Sequence, residues 1–165
     1  MSTGILYGTA VAVTCSINSL ASGGQQQSNV IDNTSVLAVD YKLYGSVAVT
    51  GSVSTNSVVN IWVSGSDDGT NFGGTYGTNA TSTQIGGGNS TFTLPTQKSN
   101  LRGPWVVPVN AASGVSEYFE VPSVAAMFGY VLPTKFVVIV DNETGLAMAT
   151  AGNALNYKTV DFTGP

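Results

Sequence analysis

Apolar residues alternate with small or polar ones over several long reaches of this chain, the period of strands that lay one face on a core. Ile5, Tyr7, Thr9, Val11, Val13, Cys15 and Ile17 form the first such series, which predicts one long strand with a heavier face. Residues 19–28, SLASGGQQQS, read as a loop, with the Gln run as a flexible link. Val30, Ile31, Asp32 and Asn33 make a short apolar step into a turn. Leu37, Val39, Tyr41, Leu43, Val47 and Val49 then give a second long strand, bent at Gly45, with Asp40 and Lys42 together on a solvated face. Residues 51–56 read as a turn. Val59, Ile61 and Val63 mark the next strand, around Asn60 and Trp62, and residues 66–72 a tight turn.

Residues 73–90 contain six glycines and read as an exposed excursion distant from the core, followed by a short strand at 91–94. Trp105 to Val109 is extended, and its prolines keep it at a sheet edge or outside a ladder. The stretch from Val121 to Met148 organises the rest. Ser123 can cap a short helix with Val124, Met127 and Phe128 on one face, and Gly129 ends it. KFVVIVD, from Lys135 to Asp141, is a β-branched run expected to be covered on both faces, with Phe136 and Ile139 buried on opposite sides. Residues 141–145 read as a turn and residues 146–149 as the returning strand of a hairpin. Residues 154–162 close the chain as a strand. Eight to ten strands against one short helix predict an all-β fold, an antiparallel β-sandwich of jelly-roll or Greek-key type. The expected organisation is an N-terminal strand, a candidate arm, with its linker over residues 1–27, and one sandwich domain over 28–165.

Composition narrows the function. Only 8% of the residues are charged, the net charge is −4, and five residues are basic. That leaves no electrostatic footprint for nucleic acid and no polybasic patch for a membrane. No run approaches the roughly 20 apolar residues of a spanning helix. Residues 1–4 lack the positive charge of a secretory leader, so the expectation is a chain made in a host cytoplasm and not secreted. The four sequons, at Asn33, Asn79, Asn89 and Asn142, are then chance products of a composition rich in Asn, Ser and Thr.

Histidine is absent, which removes the usual Ser-His-Asp and Cys-His nucleophile systems and His-ligated zinc. Cys15 is the single cysteine and reads as a buried small hydrophobe. Three carboxylate pairs invite a glycosidase reading: Asp67 with Asp68, Glu117 with Glu120, and Asp141 with Glu143. The first and last fall in predicted turns, and the middle pair, three apart on a strand, points to opposite faces. Asp67 and Asp68 lack the ligand spacing of a calcium loop. Trp62, Trp105 and the seven tyrosines suit a core or a protein interface, or else a sugar-stacking platform. No catalytic, metal or cofactor-binding residue is assigned, and an enzyme is not expected.

Two stretches carry a resemblance. IDNTSVLAVDYKLYGSVAVTGS with NIWVSGSDDGTNF, and FEVPSVAAMFGYVLPTKFVVIVDNETGLAM with GNALNYKTV, are similar to small structural proteins of tailed-bacteriophage virions. The match covers most of residues 31–160 and leaves the N-terminal strand and residues 73–100 outside it. The resemblance implies a non-enzymatic virion component, most like a capsid decoration (cement) protein. Its partners would be the major capsid protein and further copies of itself, as a homo-oligomer, with a trimer implied by the family's pattern of lattice sites. Tail or fibre proteins and a carbohydrate-binding module are the alternatives. Residues 5–17 are either an arm that adds to a neighbouring sheet edge or the first strand of the chain's own sandwich.

Overall fold

The computed structural model describes residues 4–54, 56–69, 72, 85, 87–92, 101–110 and 112–162. The described strands are β1 (Ile5–Tyr7), β2 (Val11–Ala12), β3 (Gln25–Gln27), β4 (Ile31–Asp32), β5 (Asp40–Ala48), β6 (Val58–Ser66), β7 (Ser90–Phe92), β8 (Arg102–Pro108), β9 (Ser116–Val121), β10 (Lys135–Glu143) and β11 (Ala154–Phe162). One short helix, α1 (Val124–Met127), lies between β9 and β10. The strands form two antiparallel sheets of a β-sandwich. One runs β1-β11-β5-β9 with β2 also on β11, and the other runs β7-β3-β10-β6-β8 with β4 also on β10. No two described strands that follow each other in sequence are paired with each other.

The β10 strand is the centre of the larger sheet. It pairs with β6 along its whole length, from Lys135 opposite Ser66 to Glu143 opposite Val58, and with β3 and β4 on its other side. Phe136, Val138 and Val140 enter the core between the sheets, with Tyr41, Leu43, Val47, Ile61 and Val63. Val137 and Ile139 enter a second cluster, with Trp62, Phe72, Ile85 and Leu101. Phe136 and Ile139 are fully buried, as KFVVIVD predicts. Tyr41 ties the sheets together, edge-on to Phe136 at 5.1 Å and to Tyr157 at 5.3 Å between ring centres. Ser123 caps α1 by accepting from the Ala126 amide at 2.9 Å, and Gly129 follows with φ +77°. The β8 strand is an edge strand, as its prolines require, and residues 154–162 form β11 as read.

Several expectations are corrected. Residues 5–17 are not one strand with a buried odd face. Tyr7 lies opposite Val160 but Val11 lies opposite Tyr157, so four steps on one chain match three on the other. The extra residue in this bulge reverses the faces. Ile5 and Tyr7 therefore sit on the outer face and are exposed, whereas Val13 and Ile17 turn into the core. Gln25, Gln26 and Gln27 are a strand and not a loop, because each amide finds a partner. Gln25 donates to Asp141 (2.9 Å), Gln26 to Asn89 (2.7 Å) and Gln27 to the Ser90 hydroxyl (2.8 Å).

The second strand starts at Asp40, since Asn33 folds residues 33–38 back into a loop. Its side chain accepts from the Ala38 amide (2.9 Å) and the Tyr41 hydroxyl (2.9 Å) and donates to the Ala38 carbonyl (3.2 Å). Gly45 is no bend, for pairing runs through it unbroken on both sides. A Cβ there would stand 2.0 Å from the Ala154 carbonyl oxygen, so glycine is required by close approach.

The expected hairpin after Asp141 is absent as well. The β10 strand continues to Glu143, and Met148 bridges Val49 and not β10. Of the glycine-rich excursion, residues 73–84 and 86 lie outside the described residues, as do residues 93 and 94 of the short strand after it. Ile85 contradicts the expected distance from the core: it is buried in the second cluster, because the outer face of β10 needs a cover.

Replacing Phe136 or Ile139 with Ala is expected to cost about 2–5 kcal/mol each. Chemical denaturation of the two variants measures this. A loss below about 0.5 kcal/mol, typical of exposed positions, would show that β10 is not central.

Candidate functional site

Two loops meet at one end of the sandwich, where β4 leaves for β5 and α1 leads into β10. In the first, Asp32 accepts from the amide of Thr34 at 2.8 Å and from its hydroxyl, and faces Lys135 at 3.6 Å. The Thr34 hydrogen bonds, chiefly, hold the Asp32 carboxyl below the usual carboxylate range. The contribution is therefore present above the ordinary carboxylate pKa and is lost as pH falls through the lowered one. Beyond this anchor Leu37 adopts φ +54° and is 73% exposed. In the second loop Asp40 accepts from the Ala125 amide at 2.7 Å, tying α1 to the start of β5. The Tyr130 amide donates back to the Ala125 carbonyl at 2.7 Å, with Tyr130 at φ +70°. Tyr130 is 82% exposed and Val131 75%.

Left-handed backbone costs an L-residue roughly 1–2 kcal/mol. Here two large apolar residues adopt it, and both project into water. Such placement against local preference marks contact surfaces more often than cores. Val36, Val39, Ile5, Leu6, Tyr7 and Phe162 are exposed toward the same end, which the register places at the start of β5 and β1 and the finish of β11. At the opposite end, residues 50–54, 56, 110, 112–115 and 145–153 are mostly Ser, Thr, Gly, Ala and Asn, and Val115 is the exposed large apolar residue described there.

A second feature lies on the outer face of the five-stranded sheet. An open groove of ≈ 530 Å³ is lined by Tyr7, Lys42, Tyr44, Tyr118, Glu120 and Lys158, among others. Lys42 and Lys158 are directly opposed across β5 and β11. Lys42 pairs with Glu120 at 2.7 Å, and Lys158 has no ion-pair partner among the described residues.

The chemical candidates of the sequence do not converge. Asp68 accepts from Ser66 (2.9 Å), whose hydroxyl accepts from the Gly69 amide (2.9 Å), so this pair shapes its turn. Glu120 is on the outer face with Lys42, and Glu117 falls on the other face of β9. Asp141 is buried and accepts from Gln25, while Glu143 is exposed at the strand end. Among the described residues no group of three or more His, Cys, Asp or Glu is placed to hold a metal ion. Cys15 packs against the core, and burial pushes its thiol up to about 12, which keeps it protonated.

Trp62 is buried and Trp105 is 40% exposed, so no tryptophan platform forms between them. Tyr41 and Tyr157 are core rings, and Tyr76 lies outside the described residues. Comparison with known proteins returns no matching family model, no matching curated protein and no matching solved structure. No helix among the described residues is long and apolar enough to cross a membrane.

Three sequon asparagines are structural. Asn33 clamps its loop. Asn142 donates to the carbonyls of Leu20 (3.0 Å), Ala21 (3.1 Å) and Leu146 (2.9 Å). Asn89 accepts from the Ser16 amide at 2.8 Å and donates to the Ser16 hydroxyl at 2.7 Å. Asn79 lies outside the described residues. What sequence reading missed is the pair of loops, because Leu37 and Val39 continue the alternation of the strand that follows. The available signal was Asn33, a side chain that turns its own backbone.

Leu37→Asn and Tyr130→Asn test the strain. Asparagine tolerates the left-handed region, so each variant should be neutral or more stable by up to about 1 kcal/mol. Binding of a hydrophobic dye should fall in both. A destabilisation above about 1 kcal/mol would show that these side chains are structural.

Proposed function

We propose that this protein is a non-enzymatic structural component of a phage virion, a decoration protein that seats its apolar end on the major capsid lattice as a homo-oligomer, with a trimer as the expected state. The observation that carries the reading is the pair of loops holding Leu37, Tyr130 and Val131 in solvent while the far end of the sandwich is mostly small and polar, with Glu143 exposed at the finish of β10. An exposed apolar patch rimmed by polar residues is the usual form of a protein contact site. The sparse charge supports it, since little net repulsion opposes close packing of copies. The resemblance of residues 31–72 and 101–160 to virion structural proteins points the same way, and the β-rich, low-charge chain of 165 residues fits the decoration class by size.

Mixing purified protein with expanded capsids tests this. Wild type should co-sediment with the particles in hundreds of copies, whereas Leu37→Asp and Tyr130→Asp should bind at least about tenfold more weakly, the effect of losing one buried apolar contact. Asn56→Asp, at the polar end, should bind as wild type does. A full-length protein that binds no capsid and stays monomeric at high concentration ends the reading. A handful of copies per particle moves it to a tail, vertex or fibre.

Removing residues 1–18 separates the two readings of the N-terminus. A chain that folds but fails to bind capsids assigns them to an arm. Loss of folding assigns them to the sandwich, through Val13 and Ile17 in the core.

A further inference from the structure

Docking through Leu37, Tyr130 and Val131 uses none of the residues that line the groove on the outer face of the five-stranded sheet. Its floor is chemically unusual for this chain. Side chains directly opposed on antiparallel strands stand about 5 Å apart at Cβ, and like charges there repel. Lys42 and Lys158 form such a pair, although the chain has five basic residues in all. Glu120 neutralises one of them through its 2.7 Å contact with Lys42. Among the residues that line the groove, two lysines against one carboxylate leave a single positive charge, in a chain whose net charge is −4. Tyrosines surround it. Tyr44 lies opposite Glu120, Tyr118 opposite Ser46, and Tyr7 opposite Val160 at the other side of the groove. Tyr118 is 85% exposed.

This combination selects a ligand chemistry. Tyrosine offers a flat apolar face with a hydrogen-bonding rim, and a pyranose ring offers a C–H face with hydroxyls around it. Glu120 accepts hydroxyl protons and can bond nothing on a second carboxylate. The surplus charge matches one carboxylate and not a run of them. We propose that the groove binds an acidic sugar carrying one carboxylate. The carboxylate lies between Lys158 and Lys42, the ring lies against Tyr118 or Tyr44, and ring hydroxyls donate to Glu120. An acidic peptide fits less well, because Glu120 repels further carboxylates and the tyrosines meet no ring face.

The test uses the whole protein and sialyllactose as probe, followed by amide chemical shifts, with lactose and poly-glutamate as comparisons. Sialyllactose should give saturable shifts on β5, β9 and β11, and raised salt should weaken them. Lactose should bind at least about tenfold more weakly, the effect of one missing charge-assisted contact. Lys158→Ala and Tyr118→Ala should each lower affinity by about tenfold, and Lys158→Arg should keep most of it. Tyr118→Ala removes an exposed ring, so its spectrum reports on binding without a change of fold. Absence of saturable shifts, equal binding of lactose, or unchanged affinity in Lys158→Ala overturns the proposal. Tighter binding of poly-glutamate than of sialyllactose overturns it too and makes the groove a peptide seat. Capsid binding by Lys158→Ala should be unaffected, which keeps this result separate from the docking of the apolar end.

Discussion

A strand covered on both faces has no polar side to turn to water, and every neighbour must be arranged around that fact. The β10 strand is such an element. Its inward residues are met by the smaller sheet, with Tyr41 reaching across to Phe136. Its outward residues Val137 and Ile139 need a second cover, which Trp62 supplies from β6, with Phe72, Ile85 and Leu101 from the segments between β6 and β8. The polar residues at its end are buried too and cannot be left unsatisfied. Asn142 answers this by bonding the carbonyls of Leu20, Ala21 and Leu146 and accepting from the Thr144 amide and hydroxyl. One side chain thereby fastens the N-terminal quarter to the exit of the central strand.

The topology follows from the same requirement. Because consecutive described strands are not paired, the chain repeatedly leaves one sheet for the other, and most contacts join distant segments. Loop closure must be met before such contacts form, so a fold of this kind assembles slowly and cooperatively. It also explains why a polar strand is tolerated beside β10. Gln25, Gln26 and Gln27 are fixed on both sides by ladders, and their amides bond Asp141 on one side and Asn89 and Ser90 on the other.

Legibility in the sequence tracked how local the determining interaction was. The helix cap at Ser123, the β-branched run of β10, the prolines of β8 and the closing strand at residues 154–162 are signals a few residues long, and all appear in the fold. The sandwich class followed from them. The failures needed partners far away. The bulge between β1 and β2 is set by register against β11, the Gln strand by its buried partners, and Gly45 by the Ala154 carbonyl. The hairpin after β10 failed because Val49, in the other sheet, takes Met148. Alternation likewise hid the exposed loop at Leu37, since period alone does not say where a strand begins.

The edges then decide how copies of the chain can meet other proteins. The β8 edge carries Pro104 and Pro108, which donate nothing to an incoming strand, and β9 carries Glu117 and Glu120. The β1 and β7 strands are three residues each, too short to template a stable addition. With the described edges blunted in these ways, main-chain pairing is a poor route to assembly. Side-chain contact is what remains, and the two ends of the sandwich are not equivalent for it. One presents Leu37, Tyr130 and Val131 on strained loops braced by Asn33, Asp40 and α1, and the other presents mostly small polar residues beside Glu143. An apolar end and a polar end give the molecule a direction. Under the proposed docking, attachment by the first end turns the second, rich in glycine, serine and threonine, toward solvent.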